Sequence, residues 1–277
     1  MLAAALAPAA QAADSLTPFR AAVLGAIQGV TEFLPISSSA HLYAVPEMLG
    51  WKYEGVAFDV ALHWGTLLAL LAAFWRDWLG LARGILKTGL AGATARSTLL
   101  RLAVASVPAV VAGLLLQEEA ETHLRALPLQ AALLVVFGVL LWLADRGRQG
   151  IRHADVPDWG TSLLVGAAQA VALVPGVSRS GITMTAARAS GMDRVSAARF
   201  SFLLATPITF GAGLVALRHL SHDLPVATLA AGVATSTMVG LLAIRGLLRW
   251  LGRAGFGVFC AYRVAFAAAI VAWLALR

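Results

Sequence analysis

Cysteine is all but missing from this chain. Cys260 stands alone among 277 residues, which excludes an intramolecular disulfide, and no Cys/His cluster has the spacing of a structural zinc site. Charge is almost as scarce. Only 13% of residues are Asp, Glu, Lys or Arg against 60% apolar, and the mean hydropathy is +0.81, a balance that excludes a soluble domain and puts the chain in a bilayer. The net charge of +7 forms no stripe with interleaved aromatics, so the basic residues read as topology signals and no nucleic acid partner is expected. The first fifteen residues, MLAAALAPAAQAADS, contain an apolar run ending in AQA but no basic n-region. Residues 1–16 are therefore read as an N-terminal extension, with cleavage of residues 1–13 left open.

Long apolar runs fill the rest. Six of them, near residues 58–75, 99–117, 128–144, 200–217, 226–244 and 256–276, are long enough at about 1.5 Å per helical residue to cross a hydrocarbon core of about 30 Å. Two further apolar regions, 17–50 and 159–191, are broken at their centres by Pro35 with serines and by Pro175-Gly176 with serines. Neither half of either region is long enough to cross, which predicts two re-entrant helical hairpins. Lys and Arg cluster in the segments containing Arg76 to Arg101, Arg146 to Arg152, Arg188 to Arg199 and Arg245 to Arg253, which are the expected cytoplasmic loops.

The regions also resemble each other. LGAIQGVTEFLPISSSA and VGAAQAVALVPGVSRSG align with Gly25 on Gly166 and Gln28 on Gln169, and after one gap Pro35 falls on Pro175 and Ser38 on Ser178. Three spans per half leave the second half upside down relative to the first. The expected fold is thus an all-α polytopic membrane protein, one domain over 1–277, with inverted repeats over 17–144 and 159–276 and hairpin tips meeting at mid-membrane.

The tips carry groups that hydrocarbon rejects. A helix resuming after PISSS or PGVSRSG offers unpaired N–H groups and hydroxyls suited to an anion, phosphate above all, although such residues also simply permit a turn and cap a helix. Finding the pattern at both repeat positions favours anion binding. Glu32 and Arg179 each cost roughly 2.5–3.5 kcal/mol at a helix centre unless paired or wet, so they are expected to share one polar cavity. A purely structural salt bridge between them leaves His41 and the serines unexplained. Gln28 and Glu32 lie four apart on one helical face and are candidate ligands for a hard divalent cation, Mg²⁺ or Ca²⁺, with substrate oxygens completing the shell. His41 is a candidate base, acid or nucleophile. Asp59 and His63 share a face of the first span and either line the cavity or support it from the helix start, while Arg263 is expected to snorkel or to find an unidentified partner.

Taken together, GAIQGVTEFLPISSSAHL, PGVSRSGITMTAARASGM and AARFSFLLATP resemble the undecaprenyl-diphosphate phosphatase family, the bacitracin-resistance membrane proteins of bacteria, over residues 20–277. The resemblance implies a plasma-membrane enzyme that removes the terminal phosphate of the C55 isoprenoid diphosphate, regenerating the carrier for peptidoglycan and other envelope polymers. It also implies divalent-metal dependence and a site open to the periplasm. Glu32, Ser37, Ser38, Ser39 and His41 fall on its first motif, and Ser178, Arg179, Ser180 and Thr183 on its second. This makes Glu32, Ser38, His41 and Arg179 the candidate catalytic residues and the other serines and Thr183 candidate phosphate contacts. Gln28 stands where some members have glutamate. Ser38 or a metal-bound water is the expected nucleophile. The competing reading is a polyprenyl-phosphate flippase without hydrolytic activity, and a homodimer is compatible with the sequence without being specified by it.

Overall fold

The computed structural model describes residues 16–52, 55–146, 156–216 and 225–277. Residues 1–15 of the N-terminal extension, Arg148, Arg152 and the loop containing Arg218 lie outside these. Among the described residues the chain forms eleven α-helices: α1 (Pro18–Phe33), α2 (Ser38–Met48), α3 (Val56–Ala73), α4 (Trp75–Ile85), α5 (Gly89–His123), α6 (Leu127–Arg146), α7 (Trp159–Val171), α8 (Arg179–Ala189), α9 (Arg194–Ala216), α10 (Val226–Leu251) and α11 (Gly257–Leu276).

Five helices, α5, α6, α9, α10 and α11, are long and apolar enough to cross a membrane. The sixth expected span, 58–75, is a broken one: α3 and α4 meet at Phe74 with a bend of 70°, where the backbone leaves helical geometry at φ −111° and ψ 22°. With Arg76, Asp77 and Arg83 among tryptophan and leucine, α4 has the composition of a helix lying at an interface. In its most apolar stretch α9 has 56% of its residues buried against 17% in α5, so α9 runs through the protein interior while α5 offers apolar side chains such as Leu114 and Leu115 to lipid.

The four hairpin arms are short. Even the longest, α1 with 16 residues, reaches only about 24 Å. Their starts are set by ordinary capping chemistry: Thr17 accepts from Arg20 N–H ahead of Pro18, and Asp158 accepts from Thr161 N–H at 2.8 Å. Each first arm then crosses to the other half of the chain. α1 packs along α10 and α7 along α5, while α6 and α11 pack on each other. A Cβ at Gly25 would collide with the backbone of Gly232, and one at Gly166 with the backbone of Ala105, so both contacts need glycine for the helices to approach this closely.

One separation, 141 positions, relates Thr17 to Asp158, Gly25 to Gly166, Gln28 to Gln169 and Ser37 to Ser178. It also relates the starts of α2 and α8, both eleven residues long. The gapped alignment that set Ser38 on Ser178 is therefore off by one. Without a gap, Ser37 matches Ser178 and Ser38 matches Arg179.

Candidate active site

Both breaks contain a proline, Pro35 directly after the end of α1 and Pro175 four residues past the end of α7. Leu34, the residue before Pro35, is forced into extended geometry at ψ 140°, which stops α1. In the second hairpin the chain turns through Pro175 and Gly176, whose φ of +98° suits glycine. Each break closes on a serine in the left-handed region, Ser37 at φ 75° and Ser178 at φ 76°, and these are the two non-glycine residues with positive φ among those described. Such geometry is strained for serine and is held by the surroundings.

The two breaks touch. Ser39 Oγ accepts from Gly176 N–H at 3.4 Å, and Ser180 Oγ donates to Leu34 O at 3.2 Å, so equivalent serines reach across to each other's turn. Arg263 of α11 ties them further. It is fully buried, and its guanidinium donates to Pro35 O at 3.3 Å in one break and to Gly176 O and Val177 O at 2.9 and 3.0 Å in the other, with Leu133 O and Leu134 O of α6 taking the remaining bonds. Of the two expectations for Arg263, snorkelling is not seen, and the unidentified partners are main-chain carbonyls.

At the junction sits Glu32, near the end of α1. Arg179 Nη2 donates to its Oε1 at 2.5 Å, while Oε2 accepts from Ser38 Oγ at 2.5 Å and from Gln28 Nε2 at 3.2 Å. Arg179 is itself braced from α9, its Nη1 donating to Ala205 O and Thr209 Oγ1, both at 3.1 Å. The expected pairing of Glu32 with Arg179 is therefore formed, and Ser38 is on the same carboxylate. Glu32 is buried, whereas Arg179 and Ser38 are partly exposed, so the polar edge of the cluster is open.

The histidines trade places. His41 faces away from Glu32: Nδ1 donates to Ser37 O at 2.7 Å, Nε2 lies 2.7 Å from the Tyr262 hydroxyl, and the ring stacks on Phe266 at 4.0 Å. Backed by Tyr262 and Phe266 of α11, it holds the carbonyl of the strained Ser37. The histidine at the carboxylate is His63 of α3, with Nε2 at 3.5 Å from Glu32 Oε2 and Nδ1 donating to Asp59 O at 2.7 Å. The residues expected to contact phosphate divide as well. Ser39 and Ser180 bridge the turns, and Ser37 Oγ lies 3.2 Å from Ser39 Oγ. Thr183 is buried and committed to Arg179 O at 2.8 Å and Ser201 Oγ at 2.7 Å.

The helix ends differ. Ser178 Oγ caps α8 by accepting from Gly181 N–H at 3.2 Å, but Ser37 makes no side-chain cap bond on α2, which leaves first-turn N–H groups of α2 for an anion. As a resident dication site the cluster does not fit. Each Glu32 oxygen already meets a donor, one of them the Arg179 cation, and among the described residues no group of three His, Cys, Asp or Glu side chains is gathered. Gln28 Oε1 is a buried acceptor with no partner, a single neutral oxygen.

Arg263, Tyr262 and the Ala205 carbonyl were not identified as parts of the site from sequence. A lone arginine in an apolar span was the one signal available for Arg263, and it does not name main-chain partners.

The chain is similar to known proteins over nearly its whole length. The family described as bacitracin resistance protein BacA matches residues 21–269. A protein of Desulforudis audaxviator named undecaprenyl-diphosphatase is 47% identical over 267 residues, which cover 95% of this chain and 100% of that one. Proteins of the same name from Pelotomaculum thermopropionicum and Moorella thermoacetica are 45% and 46% identical, each over 95% of this chain and over 98% and 100% of their own lengths.

Proposed function

The chain belongs to the bacitracin resistance protein BacA family, and on that premise we propose that it is an undecaprenyl-diphosphatase: a multi-pass membrane enzyme that hydrolyses undecaprenyl diphosphate to undecaprenyl phosphate and inorganic phosphate. The single observation that carries the chemistry is the Glu32 carboxylate held between Arg179 and Ser38, each at 2.5 Å, where the two helix breaks meet. A carrier without hydrolytic activity has no use for a hydroxyl on a carboxylate beside a guanidinium.

The terminal phosphate of the substrate competes with Glu32 for the planar fork of Arg179, whose geometry matches two phosphate oxygens. Once Arg179 turns to phosphate, the carboxylate loses its cationic partner and accepts a proton more readily. Ser38 Oγ then bonds to the terminal phosphorus while its proton passes to Glu32 Oε2. The bond from that phosphorus to the bridging oxygen breaks, and undecaprenyl phosphate leaves with the electron pair. Water hydrolyses the phosphoserine, the proton returning to Ser38. Arg179 and the uncapped N–H groups of α2 bear the charge on the transferred group.

A divalent cation, Mg²⁺ or Ca²⁺, enters this reading on the diphosphate oxygens as part of the substrate. The two halves lie as inverted repeats, the basic loops face the cytoplasm, and the cluster opens to the periplasm from the bacterial plasma membrane, with the isoprenoid tail remaining in lipid. Recycling the carrier for peptidoglycan and other envelope polymers, and with it resistance to bacitracin, follows from that activity.

The test is phosphate release from undecaprenyl diphosphate by purified protein in detergent, with and without chelator. Release that stops on chelation and in Glu32→Ala and Arg179→Ala supports the reading. Clean protein that binds the lipid and releases no phosphate with either ion defeats it and leaves transport.

A further inference from the structure

Among the described residues Arg263 is the largest fully buried polar side chain, and its surroundings are unusual for a charge. All five of its hydrogen bonds go to main-chain carbonyls, and among the described residues no carboxylate lies within ion-pair distance of it. Room for it is made by two glycines: a Cβ at Gly138 would come within 3.2 Å of its Cδ, and one at Gly181 within 3.0 Å of its Nη1. The guanidinium is thus seated from α6, from α8 and from both breaks, in a place where a buried cation is costly unless an anion compensates it.

We infer that Arg263 is a positioning residue for the phosphatase reaction, holding the two breaks in register through their carbonyls, and that the headgroup diphosphate supplies the counter-charge this guanidinium lacks within the protein. Two properties of the side chain do separate work. The fork spans Pro35 O and Gly176 O, so it fixes where Ser38 and Arg179 stand relative to each other. The charge draws an anion to the tips, because carbonyl dipoles solvate a cation without neutralising it. A neutral side chain of similar length loses both, and a lysine keeps the charge but, as a point donor, loses the span.

The inference rests on the proposed activity, and the experiment separates the two. Wild type, Arg263→Met and Arg263→Lys are purified in detergent. Three quantities are measured: melting temperature, phosphate release from undecaprenyl diphosphate, and calorimetric binding of inorganic pyrophosphate. Arg263→Met weakens pyrophosphate binding by about tenfold or more and lowers kcat by about 100-fold, the scale set by small misplacements of reacting groups. Arg263→Lys binds pyrophosphate within about threefold of wild type yet loses about tenfold in kcat. A lowered melting temperature with wild-type kcat and pyrophosphate affinity in either variant overturns the inference, since that is what mere packing predicts. If Arg263→Met does not fold, Arg263→Lys decides alone: wild-type kcat overturns the positioning role. A wild type that releases no phosphate defeats the proposed activity, whereas an active wild type matched by both variants defeats only the role of Arg263.

Discussion

The two hairpin tips share a backbone and divide the chemistry. Both break at a proline, both close on a serine near φ 75°, and both resume as an eleven-residue helix at matching positions of the repeat. Yet the first tip carries the carboxylate and the hydroxyl, with its helix end uncapped, while the second carries the guanidinium, with its helix end capped by Ser178. Where the first has Glu32 the second has Leu173, and where the second has Arg179 the first has Ser38. The repeat supplies a frame in which one charge comes from each hairpin, so neither half holds a site by itself.

The most severe way to break this comparison is to exchange the charges. Glu32→Arg combined with Arg179→Glu restores an ion pair, so the protein should fold, but the carboxylate now sits where phosphate needs a cation. Phosphate release should fall by roughly 10⁴-fold or more, beyond the 10²–10³ typical of losing one stabilising donor. Next in size is Ser38→Ala, which removes the hydroxyl from Glu32 and should cost roughly 10³-fold in kcat, with no phosphoserine trapped by acid quench of a single turnover. The histidines come third. His63→Leu should lower kcat about tenfold with little change in melting temperature, while His41→Leu, which frees the strained Ser37 carbonyl, should lower the melting temperature by a few degrees with a smaller effect on kcat. Smallest is the cap: Ser178→Ala should cost about 1 kcal/mol of stability, and Ser37→Ala, with no cap bond to lose, less.

Much of the frame was legible in the sequence because it rests on local rules. Proline and serine in the middle of apolar runs mark the breaks, and the expense of Glu32 and Arg179 in hydrocarbon predicts that they meet. What stayed hidden depends on rotation and on main-chain partners. His41 follows the serines by about one turn, yet the helix turns its ring toward Tyr262 and Phe266 on α11, and His63, 31 positions beyond Glu32 on a separate helix, takes the place at the carboxylate. Arg263 binds only carbonyls, which every residue has, so no side-chain pattern announces its targets. The break at Phe74 is likewise silent in hydropathy, because α3 and the start of α4 read as one apolar run.

A double-mutant cycle on phosphate release, with Glu32→Ala, Arg179→Ala and the combined variant, asks most directly whether the two tips act as one site. Convergent tips predict that the combined variant is about as slow as the worse single variant, because either change alone already dismantles the shared cluster. Losses that multiply would mean that the carboxylate and the guanidinium work independently, and the convergent site would have to be given up.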